Sequence, residues 1–425
     1  MTKTLALVRV FVLNPLPFGA LGFVWDLVLG IWNSRFGCLR FGISTPRPFV
    51  FWVCLCVLAF PGCVAAGRES ALVRQEAPFP TIVGPPAAEG NEPVRYEVLR
   101  GDFHMHTFHS DGTLSPAQRV LEAWQYGYDA IAITDHGDFR SYEEALATAE
   151  TLGLVLIRGM ETGPGGQEHL VALDFSADYQ PRNPHQWSET QGQPQVFYQD
   201  EWRSLAAAGG YVIYAHPHVG LREPMLWGIG QGLLQGIEVK NDVVGSEWNT
   251  VQSLGTWWYP SAFDWAVEYG LTIFADSDVH DTRGQTEQAV TLVLVLDRSR
   301  EGVMEALRAG RTVAYFNGML CAHQSVLKML MASLVDVSLT EVADGKIFLC
   351  LQNRGPVSLV AQITGMPVEP LTLGPYQRVL VGLRRKPDTA TVIWKNLYVH
   401  STENLTTTHA LAALARQDAE DGRQP

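Results

Sequence analysis

From Tyr96 onward, short apolar runs alternate with amphipathic stretches in a regular order. The runs predict strands at Val98–His104, Ala130–Thr134, Val155–Gly159, His169–Phe175, Val212–Ala215, Gly236–Val239 and Leu271–Ala275. Between them the spacing predicts helices at Pro116–Tyr126, Ser141–Leu152, Phe197–Ala208 and Ala262–Tyr269, the first with Ser115 as N-cap and Pro116 at the first helical position. Strand alternating with helix implies parallel β/α units, and about seven of them suggest a barrel or a distorted version of one. The pattern continues with strands at Ala289–Leu296 and Thr312–Phe316 around a helix near Arg300–Ala309. Past residue 322 the texture changes. A helix at Ser325–Leu334 leads into strand-like runs at Val335–Thr340, Ile347–Gln352, Ser358–Ile363, Gln377–Leu383 and Thr391–Trp394, as in a small β-sandwich. The expected organisation is a leader (1–66), a Pro/Gly/Ala-rich linker (67–94), a barrel (95–321), a β-domain (322–400) and a polar tail (401–425).

Charge separates the leader from the rest. The chain's net charge is −13, yet residues 1–66 carry Lys3, Arg9, Arg35, Arg40 and Arg47 against Asp26 alone, a balance of +4 that leaves −17 on the remainder. So acidic a body argues against a protein that grips long nucleic acid. The apolar run Phe49–Phe60 follows Arg40 and Arg47 and has the length of a signal-peptide core, with Val64-Ala65-Ala66 as a cleavage site. Leu58–Cys63 also resembles a bacterial lipobox, which would make Cys63 a lipidated membrane attachment. The depth of this run in the chain suggests a true start downstream of Met1; the alternative is a transmembrane helix near residues 18–32. The signal-peptide and lipobox readings place the body outside the cytoplasm, periplasmic or membrane-anchored facing the periplasm. Four of six cysteines lie in the leader, and Cys321 and Cys350 are left as one disulfide or two buried thiols.

Nine side chains of metal-binding type fall in clusters at or just after the strand ends, the face of a β/α barrel where functional loops converge. His104 and His106 stand at i and i+2, the same side of a strand, and Asp111 follows across a turn eased by Gly112. His136 ends the strand AIAI, with Asp135 as a partner to orient it. Glu161 follows VLIR, and its alternative is a salt bridge to Arg158 or Arg140. His169 fits less well because it opens a strand. His216, with His218 beside it, follows VIYA, and Asp278 and His280 form another i, i+2 pair. Nine imidazoles and carboxylates exceed what one ion needs and suit two or three. Aromatic residues near the fourth cluster, Trp248 and Trp257-Trp258-Tyr259, are read as core or as a substrate pocket.

In this order, HMH…SDG, TDH, GME…H, AHP and DSDVH resemble the successive motifs of the polymerase and histidinol phosphatase (PHP) superfamily, over about residues 101–316. Arg140, the segment Gly236–Asn241, the strand RTVAYF and the carboxyl-terminal β-domain resemble its exported phosphodiesterase branch. The resemblance implies an α/β fold, a distorted (β/α)7 TIM-like barrel, holding two or three Zn, Mn or Fe ions. It implies His104, His106, Asp111, His136, Glu161, His169, His216, Asp278 and His280 as ligands, Glu161 bridging two ions. The expected function is a phosphoesterase acting on a small phosphate ester, preferably a diester, with a hydroxide nucleophile activated by metal. Asp278 accepts a hydrogen bond from the nucleophile, Arg140 (or Arg158 or Lys240) meets phosphate charge, and His218 is either the acid to the leaving group or a structural histidine. The alternatives are a phosphomonoesterase of histidinol-phosphatase or nucleotide-phosphatase type and a non-catalytic, metal-stabilised binding module.

Overall fold

In a computed structural model the described residues are 72–75, 77–86, 91–163, 168–180, 198–244, 258–283, 289–342, 345–366 and 369–411. The leader expected at 1–66, Trp248 and Trp257 lie outside them. In chain order the first part consists of β1 (Ile82–Pro86), β2 (Pro93–Asp102), α1 (Pro116–Gln125), β3 (Ala130–Ile133), α2 (Arg140–Leu152), β4 (Val155–Thr162), β5 (His169–Leu173), α3 (Tyr198–Ala207) and β6 (Tyr211–Ala215). It continues with α4 (Met225–Gly230), β7 (Gly236–Asn241), α5 (Pro260–Tyr269), β8 (Thr272–Asp276), β9 (Val290–Val295), α6 (Arg300–Arg308), β10 (Thr312–Phe316) and β11 (Met319–Cys321). After α7 (Gln324–Leu334) come β12 (Val335–Glu341), β13 (Ile347–Asn353), β14 (Leu359–Ile363), β15 (Leu371–Leu373), β16 (Arg378–Leu383), β17 (Thr389–His400) and β18 (Glu403–Ala410).

The fold is mixed α/β with an antiparallel β region at the carboxyl terminus. Strands pair in the order β9-β2-β3-β4-β5-β6-β7-β8. Six of them, β2, β3, β4, β6, β7 and β8, run one way, while β5 is antiparallel to both neighbours and β9 is antiparallel to β2. β8 and β9 are joined by a side chain: Thr291 Oγ1 accepts from the Ala275 amide (2.9 Å) and donates to its carbonyl (3.0 Å). Inside, Leu99, Phe103, Ala132, Ile157, Ile213 and Phe274 share one fully buried core, with the Phe103 and Phe274 rings edge to face. The four residues of β3 are all buried, as expected for a strand covered on both faces. Ser115 caps α1 as its sequence suggests, its Oγ accepting from the Gln118 amide in a full capping box.

Three details differ from expectation. The reversal of β5 breaks the run of parallel units, and it puts the first residue of β5, His169, beside Ala215 at the last position of β6. The stretch taken as linker contributes β1, which pairs with β2 and buries Ile82, while Arg74 holds Asp129 and the Tyr128 carbonyl. Proline and glycine are generic turn signals, and in this stretch they flank a short strand. The tail expected from 401 instead forms β18, seated along β17. Its sequence is polar, but Thr406, Thr407 and Thr408 are β-branched and suit a half-buried sheet.

The carboxyl-terminal β region has two antiparallel parts, β12-β13-β16 and β15-β14-β17-β18. They face each other through Leu349, Leu351, Leu359, Ala361, Val392 and Trp394, all fully buried in one core. β17 also pairs in parallel with β11, so this sheet continues into the barrel's. Cys321 and Cys350 are both free and buried. Trp258 packs against Phe263, Phe316 and Tyr398, and Trp258 and Tyr259 belong to the core. Among the described residues no helix is long and apolar enough to cross a membrane.

Candidate metal centre

All nine sequence-derived ligand candidates meet at one end of the barrel. They form three overlapping groups whose donor atoms lie within 4.8 Å of one another: His106, Asp111, His136 and His280; His104, His106, Glu161 and Asp278; and Glu161, His169 and His216. The carboxyl ends of the six co-directional strands converge there. The inverted β5 brings its amino end to the same place, which explains why a histidine that opens a strand joins those that close one. His216 and Asp278, both at strand ends, have positive φ (25° and 54°), a conformation costly for residues with a Cβ and found most often at functional sites. Gly112 is required by close approach, since a Cβ there would lie 2.6 Å from the carbonyl carbon of His106.

Glu161 is the hub. Its Oε2 lies 3.3 Å from His104 Nε2, 3.3 Å from His106 Nε2 and 3.0 Å from His136 Nδ1. Its Oε1 lies 2.8 Å from His169 Nδ1 and 3.1 Å from His216 Nε2. The salt-bridge alternative for Glu161 fails, because Arg158 instead reaches Glu143 and the Phe175 carbonyl and Arg140 is bound to Asp138. Asp278 Oδ1 faces His106 Nε2 at 3.0 Å and His104 Nε2 at 3.2 Å.

The donors fit divalent ions. Nε2 of His104 and Oε2 of Glu161 are buried and make no hydrogen bond although they are 3.3 Å apart, and Nδ1 of His216 is likewise buried without one. Lone-pair atoms crowded together in a dry site are costly unless a cation satisfies them. Imidazole nitrogen with carboxylate oxygen is the donor set of transition ions such as Zn, Mn and Fe.

A second layer holds the ligands. His104 Nδ1 donates to Glu238 Oε1 (2.7 Å), a carboxylate–histidine arrangement that leaves Nε2 facing the cluster. The other Glu238 oxygen accepts from the His216 amide (2.6 Å) and the Asn241 side chain (3.0 Å), and Asn241 also donates to Asp278 Oδ2 (3.2 Å). Neither Glu238 nor Asn241 was singled out as a site residue. Both lie in the apolar run GIEVKN, and a charged residue inside a fully buried strand was the available signal. Asp135 does not orient His136: it accepts from the Thr107 amide and hydroxyl and from Ser110 Oγ, all at 2.7 Å, and so fixes the loop after His106.

Without cations the cluster is an imidazole–carboxylate network. Burial would raise the Glu161 carboxyl, but the imidazoles around it, His104 foremost, hold it well below the usual range. Asp278 and Asp111 are lowered in the same way. Burial would lower His136, but Asp111 and Glu161 outweigh it and push the imidazole up to about 10; His104, His106 and His216 are raised by the same balance. At His169 burial wins and the imidazole is lowered. A histidine raised from 6.5 to about 10 adds stability that is full below 6.5 and lost as the pH passes about 10. The melting temperature of metal-stripped protein is therefore expected to fall between pH 6.5 and 10.5. Metal-loaded protein, whose histidines are already deprotonated, is expected to be flatter over the same range.

The remaining sequence candidates stand apart from the three groups. Arg140 is largely exposed, its guanidinium engaged by Asp138. Lys240 is buried, bound to Asp242 and the Asn241 carbonyl, both at 2.8 Å. His218 lies beside the cluster, its Nδ1 donating to the His216 carbonyl (2.8 Å), and burial lowers its imidazole.

Residues 102–198, which carry the first three clusters through His169, match the PHP domain family. The similarity to that domain family covers about a quarter of the chain. A two-domain protein from Bacteroides vulgatus, described as containing a "predicted PHP-like metal-dependent phosphoesterase", superposes with a TM-score of 0.66 at 24% identity, over 80% of this chain and all of that one. It shares the fold, the second domain included. In sequence, the chain is similar to a 5′-3′ exoribonuclease of Haemophilus influenzae, 36% identical over 77 residues that make up 17% of this chain and 28% of that protein. It is also similar to the PolC-type DNA polymerase III of Staphylococcus aureus, 40% identical over 67 residues, or 15% of this chain and 5% of that protein. The chain thus spans less than a third of the length of these curated relatives.

Proposed function

We propose that the chain is a metal-dependent phosphoesterase that cleaves small phosphodiesters. The observation that carries the reading is the convergence of nine metal-type side chains on one strand-end face of a barrel similar to the PHP domain family. Divalent ions, when bound, neutralise charge on the phosphoryl oxygens and acidify water. Glu161 and Asp278 supply the negative charge between the imidazoles. Asp278, with Oδ2 held by the Asn241 amide, is placed to accept a hydrogen bond from the attacking water. Glu238 keeps the proton of His104 on Nδ1 and so keeps Nε2 available as a donor.

The preference for diesters rests on charge. Arg140, Arg158 and Lys240, the cationic candidates for phosphate binding, are engaged by Asp138, Glu143 and Asp242. A monoester dianion needs more positive charge than a diester monoanion, and these three are already committed. The exoribonuclease relative, whose name denotes a diester substrate, supports the same class. Long nucleic acid is not the proposed substrate, given the acidic body.

His218 is a neutral imidazole in this reading, with Nδ1–H held by a carbonyl and Nε2 an acceptor. A general acid contributes roughly 10² to 10⁴ in rate, most of it with poor leaving groups. His218→Gln is expected to lose less than about tenfold, equally for aryl and alkyl esters; a loss confined to alkyl esters would assign it the acid role.

Export to the periplasm, by a cleaved signal or a lipid on Cys63, is proposed from residues 49–66 alone. A mature amino terminus at Cys63 or Gly67, read by mass spectrometry, supports it. The functional reading is tested by assaying the full chain on aryl phosphate mono- and diesters with added Mn, Zn or Fe. Diester turnover is expected to dominate; a monoester preference assigns the phosphatase alternative, and no turnover with loaded metal removes the enzyme reading.

A further inference from the structure

Arg119 is fully buried on α1, one helix away from the metal-type cluster. Its Nε donates to the His106 carbonyl (3.0 Å), its Nη2 to the His280 carbonyl (2.8 Å) and its Nη1 to the Asp281 carbonyl (2.9 Å). Nη1 also meets Glu122 Oε2 at 2.5 Å. Burying a guanidinium is costly, and an apolar side chain would fill such a helix position at less expense. What only the flat, multi-donor fork provides is a simultaneous hold on three carbonyls from two separate chain segments.

Those segments are the two i, i+2 ligand pairs. They are already joined by backbone bonds, His106 N to Val279 O (3.0 Å) and Asp278 N to His104 O (2.8 Å). Beyond Arg119, Glu122 Oε1 accepts from the Arg283 amide (2.7 Å), and Arg283 Nη2 donates to Asp102 Oδ2 (2.7 Å). Asp102 Oδ1 in turn accepts from the amides of Ser277 (3.1 Å) and His104 (3.4 Å). One buried chain of charges therefore braces both pairs from behind. The rings of His106 and His280 stack at 4.2 Å, and both belong to the group formed with Asp111 and His136.

We propose that Arg119 is a positioning residue for one ion of the cluster, the one taken by His106, Asp111, His136 and His280. The proposal rests on the metal reading above. By fixing two ligand carbonyls, Arg119 sets the spacing of their imidazoles; the ions held by the other two groups depend on it less.

The test titrates metal-stripped, full-length chain with Mn²⁺ alone, counting bound ions by the spectrum of free Mn²⁺ and checking the fold by thermal melting. Arg119→Lys keeps a charge opposite Glu122 but not the fork. One equivalent is expected to weaken about ten- to a hundredfold while the others weaken by a smaller factor. Val120→Ala, which thins the core at the next helix position, is expected to lower the melting temperature and leave every equivalent unchanged. A folded Arg119→Lys protein that binds all equivalents with wild-type affinity overturns the proposal, as does the same selective loss in Val120→Ala. Should Arg119→Lys fail to fold, Glu122→Gln, which slackens the guanidinium, is read on the same terms. Wild-type protein that takes up no Mn²⁺ overturns the metal reading itself and is distinct from both results.

Discussion

Glu161→Gln is expected to reduce phosphoester turnover by roughly a thousandfold or more, the largest effect of any single substitution in this chain. The carboxylate faces five imidazoles, those of His104, His106, His136, His169 and His216, and links two of the three ligand groups. Glutamine has the same shape but no charge. Removing one partner from a buried charged network typically costs about 3–5 kcal/mol, and if ion binding loses about 4 kcal/mol, that corresponds to roughly a thousandfold. The raised imidazoles would also lose a counter-charge they share, beside Asp278 for His104 and Asp111 for His136, so metal-stripped Glu161→Gln is expected to melt well below the metal-stripped wild type at neutral pH. Steady-state kinetics at a metal concentration that just saturates the wild type, run beside thermal melting, separates the two effects. Turnover within tenfold of the wild type would place the reaction elsewhere.

Metal removal has an effect at least as large. A chelator should abolish turnover, and adding back Mn, Zn or Fe should restore it. An ion present at about a thousandfold over its Kd stabilises the folded chain by about 4 kcal/mol, so the melting temperature should fall by roughly ten degrees on stripping. The network of imidazolium and carboxylate moderates that fall near neutral pH and does so less above pH 10, where His136 loses its proton. The loss on stripping is therefore expected to widen with rising pH. A protein that melts at one temperature with and without metal at every pH would speak against ions in this cluster.

Much of the site was legible because strand geometry is simple. His104 with His106, and Asp278 with His280, have the two-residue spacing that puts both side chains on one side of an extended segment. His136, Glu161 and His216 follow short, mostly apolar runs rich in β-branched residues, the pattern of buried strands. What was hidden is direction and partner choice. The run HLVALDF reads the same whether its strand lies parallel or antiparallel, so the reversal that brings His169 to the site was not visible in the sequence. Glu238 is one carboxylate in an apolar run, and Arg119 looks like an ordinary polar position on an amphipathic helix. Their roles come from contacts with residues more than ten positions away, His104 and His216 for the first and His106, His280 and Asp281 for the second. Local patterning carries no information on such contacts. The β1 strand was missed for a different reason, since proline and glycine around Ile82 mask a pairing that β2 supplies.

The central claim is that one cluster, organised on Glu161, holds more than one divalent ion. Anomalous scattering from crystals of the full chain loaded with Mn²⁺ measures this most directly. Two or three manganese peaks among the three ligand groups, with the Glu161 carboxylate contacting more than one of them, is the expected result. A single peak, or no peak among the nine residues, would contradict it.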